Sequence, residues 1–264
     1  MSCAVTVPGK NGDALWALAA ANSVAERFGG GSVDVFFMEG QAGLVPLAQE
    51  LAFVGIADVL AGWVAIGSPH GDVPRMPPIP VAGRYVKICH LGYPAHPLWS
   101  TPPRTLVETH LAVANVPMPS APFLRFRWMD DSADMFTIAY GFNADNGEAK
   151  ERFVEQLKKE MFDFSFVDVR QMSWCAAARA IFRARCFFGD MSALHVLAVG
   201  LGKRTVIWEP DDSRRGLWAR MGLLRSGDLI VQPGHHVEAM MDGVVGRPPL
   251  VEEVRMLERA AGCV

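Results

Sequence analysis

"FFGDMSALHVLAVGLGKRTVIW", residues 187–208, decides the fold class. Two apolar runs flank a turn of small and polar residues and a segment of helical length. The strand "CFFG" (186–189) ends in a turn over Asp190–Ala193. A helix runs over 192–202, and "RTVIW" (204–208) is the next strand. Strand, helix and strand in that order build parallel sheets through right-handed crossovers. Each turn after a strand then lies at the carboxyl end of the sheet, where α/β proteins bind ligands.

The same unit recurs toward the N-terminus. "CAVTV" (3–7) reads as a buried strand, "PGKNGD" as a turn and "ALWALAAANSVAERF" (14–28) as a helix, which "GGGS" stops before the strand "VDVFFM" (33–38). "VGIADVL" is a weak strand candidate. The run from Leu51 to Ile66, interrupted by Asp58 and Gly62, reads better as a core loop or short helix. "RYVKICHL" (84–91) is a strand, and "TLVETHLAVANV" (105–116) a helix. Pro and Gly crowd the region from Ser68 to Arg104, so long loops are expected there. Residues 117–135 carry three prolines and a charge cluster and read as a connection between domains.

A second series follows: strand 136–142, amphipathic helix 150–161, strand 162–169, helix 173–184, then the opening stretch, then strand 228–232 and a last helix at 248–262. The expected architecture is α/β in two halves, 1–130 and 131–264, facing a central cleft.

Composition narrows the function. Half of the 264 residues are apolar and a fifth are charged, enough to bury a sizeable core. The net charge of -3 argues against broad attraction to nucleic acid or an anionic membrane. Up to residue 130 there are 8 Lys/Arg against 9 Asp/Glu, which does not favour a large polyanionic acceptor. Five cysteines without a CxxC pair suit a reducing cytoplasm better than a disulfide framework or a zinc site. Neither a signal peptide nor a transmembrane segment is expected.

Two turns carry chemistry. At 190–195 the first amides of a helix carry partial positive charge, and the small residues Ser192 and Ala193 allow a phosphate to approach. The plainer reading is a helix capped by Asp190 or Ser192, with His195 a satisfied, partly buried histidine. At 9–13 the glycines Gly9 and Gly12 turn the chain sharply. Asp13 is then either a general base favoured as an anion at the helix start or a simple N-cap. Lys10 binds an anionic ligand, pairs with Asp13 or is a solvated surface lysine. "GKNGD" is not a phosphate-binding P-loop, because it lacks the GKS/T ending and the spacing.

Together the turns are more specific. Asp13 with the helix after it resembles the opening "GD-x-L-x-x-L-P-A-L" of the family 9 glycosyltransferases, the ADP-heptose:lipopolysaccharide heptosyltransferase-like enzymes. "GDMSALHVLAVGLGKRTVIWEPDD" is similar to their donor-site signature, with Asp190, His195, Ala198, Leu201, Val206, Pro210 and Asp212 in register. "VETHLAVANV" resembles the helix before that family's domain linker. Met191 and Ser192 stand where the family has Ser/Thr and Gly. Arg204 replaces a proline.

The resemblance implies a GT-B fold of two Rossmann-like domains, with the acceptor on the first and a nucleotide-sugar on the second. It implies Asp13 as catalytic base, with Lys10 a candidate cation beside it. Asp190, Ser192, Ala193, Leu194 and His195 would receive the donor's diphosphate and sugar, Glu209 would reach a ribose, and Asn143 is the nearest polar group of the phosphate loop. Lys150 falls loosely where the family has a Lys-x-Trp. The activity implied is inverting, metal-independent transfer of a hexose or heptose, with no cofactor beyond the nucleotide-diphosphate sugar. The amides at 192–194 would stabilise the departing charge. The acceptor hydroxyl belongs to an envelope saccharide or to a hydroxylated base in modified nucleic acid. Two other classes stand beside this one. A catalytically degenerate GT-B nucleotide-binding module would bind without transfer, and a nucleotide-sugar epimerase of the same fold would turn over a sugar nucleotide without an acceptor.

Overall fold

The computed structural model describes residues 2–7, 9–63, 82–91, 110–112, 114–117, 123–129, 134–142, 147–208 and 229–231. The expected helix at 248–262, the loop residues 68–81 and 92–104, and the start of the helix expected at 105–116 lie outside them.

The first half is a four-stranded parallel sheet in the order β3-β2-β1-β4, built from β1 (Ser2–Val7), β2 (Val33–Phe37), β3 (Val54–Val59) and β4 (Tyr85–His90). Helix α1 (Asn11–Phe28) crosses from β1 to β2. Alternation along β1 decides what covers each face. Cys3, Val5 and Val7 join the core that contains α1. Ala4 joins a smaller cluster with Phe36, Met38, Leu60 and Trp63 on the other side. A 3-10 turn (Glu39–Leu44) and the short helix α2 (Val45–Gln49) connect β2 to β3. The weak strand candidate "VGIADVL" is thus β3, and the reading of the run from Leu51 as a core loop or short helix is corrected. Parallel pairing to β2 on one side suffices to hold it.

The second half is a five-stranded parallel sheet in the order β6-β5-β7-β8-β9. Its elements are β5 (Asp134–Gly141), α3 (Gly147–Glu160), β6 (Ser165–Asp168), α4 (Trp174–Arg183), β7 (Ala184–Gly189), α5 (Ala193–Gly200), β8 (Arg204–Trp208) and β9 (Leu229–Val231). Ile138, Tyr140, Cys186, Phe188, Val206 and Trp208 alternate onto one face under Phe153, Val154 and Leu157 of α3. Ala139 and Phe187 face the opposite way, into the same core as α1.

That shared core joins the halves. α1 is buried without interruption from Ala14 to Ala25, because the first sheet covers one side and α5 packs on another. The connecting segment is wedged alongside. Leu124 N–H donates to the Gly200 carbonyl, Asn22 Nδ2 to the Phe123 carbonyl, and Ala52 N–H to the Arg125 carbonyl. Gly200 is required at its place: a Cβ there would lie 2.4 Å from Leu124 Cδ1. Glu50, after α2, accepts from Trp128 Nε1 in the connection and from Arg179 in α4. Among the described residues, no helix is long and apolar enough to cross a membrane.

Candidate functional site

Two strands of different sheets end in turns that feed two touching helices. After β1 the chain turns at Gly9, whose φ is +97°. Lys10 is extended at the N-cap of α1, and Asp13 is the third residue of the helix. Asp13 is therefore not the N-cap itself: its Oδ2 folds back to accept the Lys10 N–H at 2.9 Å. Gly12 is the second residue of α1 rather than a turn residue, which corrects the sequence expectation. Its bare Cα faces α5, where an added Cβ would sit 3.6 Å from Ala193 Cα.

After β7, Ser192 occupies the N-cap of α5 with an extended backbone. Its own N–H is taken by the Asp190 carbonyl at 2.8 Å, so the amides of Ala193 and Leu194 are the first that a ligand can use. The set expected at 192–194 is thus shortened by one. Ser192 Oγ makes no capping bond. It is buried without a hydrogen-bond partner among the described residues.

Between these helix starts and the carboxyl end of the second sheet lies a cavity of about 380 Å³. Asn11 enters it from α1, and Ser192, Ala193 and Leu194 from α5. Arg170, after β6, and Trp174, at the start of α4, form another wall, with apolar surface from Phe142, Val169 and Met172. Both helices present their positive ends to this space.

Charges around the cavity are paired. Lys150, from α3, reaches Asp190 Oδ2 at 2.7 Å, and both side chains are nearly buried. Asp190 thus meets a lysine instead of capping α5. Arg170 grips Asp168 with Nε and Nη2, and its Nη1 donates to Glu151 at 2.6 Å. It also lies 4.6 Å from the Phe142 ring centroid. This pairing holds the Asp168 carboxyl below the usual range and raises the guanidinium further.

Other expected residues lie elsewhere. Lys10 is exposed. His195 is at 0% exposure, its Nε2 3.3 Å from Thr205 Oγ1 on β8, and it is not among the cavity-lining residues. Glu209 and Asn143 lie outside the described residues. Sequence reasoning missed Arg170 as a wall residue and Gln41, which reaches the Gly9 turn. It also missed His90, the exposed last residue of β4, whose Nδ1 is 3.0 Å from Thr6 Oγ1 and whose pKa partial burial lowers. Only a strand-end position could have flagged His90. Among the described residues, no group of three or more His, Cys, Asp or Glu is arranged to hold a metal ion.

Two parallel Rossmann-like sheets with a cavity at their carboxyl ends define the GT-B class of fold. Solved structures of that class match along nearly the whole chain. Heptosyltransferase WaaC of E. coli with ADP superimposes with a TM-score of 0.55 at 12% identity, covering 98% of this chain and 99% of that one. The glycosyl transferase family 9 protein of Veillonella parvula matches with a TM-score of 0.50 at 9% identity, over 92% and 97%. The dodecameric iron-containing heptosyltransferase TibC in complex with ADP-D-beta-D-heptose gives 0.51 at 11% identity, over 98% and 76%. At these identities the likeness establishes the fold. No family model and no curated protein sequence matches the chain.

Proposed function

We propose that the protein is a glycosyltransferase that moves a sugar from a nucleotide-diphosphate sugar to an acceptor hydroxyl. One observation carries the reading: two helix N-termini from different sheets converge on one cavity. Converging positive helix ends favour an anion such as a diphosphate. The buried Ser192 Oγ at the same spot is a donor in want of an acceptor, which a phosphate oxygen supplies. WaaC is matched with ADP and TibC with ADP-D-beta-D-heptose, so an ADP-sugar is the first donor to try.

In the proposed mechanism the donor lies on the second half (131–264) and the acceptor on the first (1–130). Asp13 takes the proton of the acceptor hydroxyl as that oxygen attacks the anomeric carbon and the nucleoside diphosphate leaves with inversion. The amides of Ala193 and Leu194 meet the departing charge, and no metal is needed. The Lys150–Asp190 pair borders the sugar and diphosphate. His195 acts from behind, by fixing α5 to β8. Lys10 is the exposed cation nearest Asp13 in sequence.

The test is a thermal-shift panel of ADP-, UDP-, GDP- and dTDP-sugars, followed by transfer assays in excess chelator. A ligand at 100 times its Kd stabilises the native state by about 2.7 kcal/mol. Stabilisation by a nucleotide-sugar and turnover with inverted product support the proposal. Binding without turnover would leave a degenerate module. Turnover without any acceptor would indicate an epimerase, and loss of activity on chelation would overturn metal independence.

A further inference from the structure

Gln41 lies in the 3-10 turn after β2 and is only 2% exposed. A buried amide is tolerated when its polar atoms are bonded, and both are. Oε1 accepts the Met38 N–H at 3.1 Å, which anchors the side chain to the end of β2. Nε2 donates to the Gly9 carbonyl at 2.6 Å. The Gly9 carbonyl and the Lys10 N–H belong to one peptide group, and that N–H donates to Asp13 Oδ2. A peptide group is planar, so its two ends turn together. Gln41 and Asp13 therefore grip opposite ends of a single rigid plate.

We infer that Gln41 is a positioning residue for Asp13, acting through the Gly9–Lys10 peptide; this rests on the assignment of Asp13 as base. Two further features belong to the same device. A Cβ at Gly9 would lie 2.8 Å from Asp13 Cβ and 2.9 Å from Oδ2, so the loop is shaped around that carboxylate. Donation to the Gly9 carbonyl also polarises the peptide and strengthens the Lys10 N–H as a donor. The turn reaches the donor side too: a Cβ at Gly43 would lie 3.5 Å from Cδ1 of Trp174, a cavity wall residue. One short turn thus meets both the peptide that holds the base and a wall residue of the cavity.

The experiment uses the full chain and two variants. Gln41→Met keeps the volume and loses both bonds. Gln41→Glu keeps the acceptor for Met38 and puts an oxygen against the Gly9 carbonyl. The first readout is the Lys10 amide by NMR, which needs no substrate. In both variants its proton resonance moves toward that of Asp13→Ala, and its exchange quickens by roughly tenfold while the α1 interior stays protected. The second readout is ADP release from ADP-heptose with water as the acceptor, which takes the heptosyl group and gives up its proton to Asp13. There kcat falls by roughly tenfold with KM unchanged, and adding either variant to Asp13→Asn causes no further loss. An unmoved Lys10 amide overturns the inference whatever the chemistry. So does an equal loss with Asp13 present and with Asp13→Asn. Full turnover by Asp13→Asn instead removes the base assignment, a failure told apart because the amide result still stands.

Discussion

Lys150 and Asp190, forty residues apart in sequence, meet as a nearly buried ion pair 2.7 Å long just past the carboxyl end of β7. Removing one partner leaves a charge with its main counter-charge gone. Lys150→Met or Asp190→Asn should therefore cost about 3–5 kcal/mol of stability, read by urea unfolding. The double variant Lys150→Met/Asp190→Leu should recover most of that loss and still bind ADP poorly by calorimetry. Normal ADP affinity in the double variant would make the pair a purely structural element.

Asp13→Asn should retain the fold, because the amide oxygen still accepts the Lys10 N–H. Transfer should fall by roughly 10²-fold or more, the usual scale for losing a general base. Near-normal turnover with an unchanged melting temperature would reduce Asp13 to a partner of the helix start.

The cation that meets the phosphates can be told by substitution. Lys10→Ala should lower kcat/KM by roughly 10- to 100-fold in excess chelator without a change in Tm, since Lys10 is exposed. Arg170→Met should destabilise the wall by leaving Asp168 and Glu151 facing each other, with a smaller effect on kcat/KM because those carboxylates already neutralise the guanidinium. A larger catalytic loss for Arg170→Met than for Lys10→Ala would reverse the assignment.

Acid should weaken the fold through His110. Burial pushes its pKa down from 6.5 to about 4. The unfolded chain then binds the proton more readily than the native one between those values, so stability is full above pH 6.5 and declines as pH falls toward 4. At about 1.4 kcal/mol per unit the loss is on the order of 3 kcal/mol. Urea midpoints from about pH 7.5 to 4.5 should decline for the wild type and flatten in this window for His110→Phe. Parallel curves would assign the acid sensitivity to other groups, His90 among them, whose pKa burial also lowers.

Much of the fold was legible because strands and helices here announce themselves locally. The runs 3–7, 33–38 and 204–208 correspond to β1, β2 and β8, and the glycines at 29–31 end α1. Helix α1 starts three residues earlier than expected, since glycine at 12 reads as a breaker in the sequence yet takes the second position of the helix. The 3-10 turn and α2 left no periodic signal in "EGQAGLVPLAQ". In the site, Asp13 and Asp190 stood out as acids after strands. The residues that hold their surroundings did not: Lys150, named only loosely through the resemblance, lies 40 residues from Asp190, and Gln41 lies 32 residues from the Gly9 carbonyl it bonds. A glutamine in a loop carries no sequence mark of the carbonyl it will hold.

The burial of α1 on both sides sets an order of events during synthesis. Its outer face is completed by α5, which leaves the ribosome about 180 residues later, tens of seconds at the slower rates of translation. Until then a helix whose apolar residues run around its circumference is half covered, and the nascent chain offers a sticky surface. Completion of this core waits on the contact between α1 and α5, the kind of distant pairing that slows folding. Expression at low temperature with chaperones should raise the soluble yield, and a fragment ending at residue 130 should aggregate.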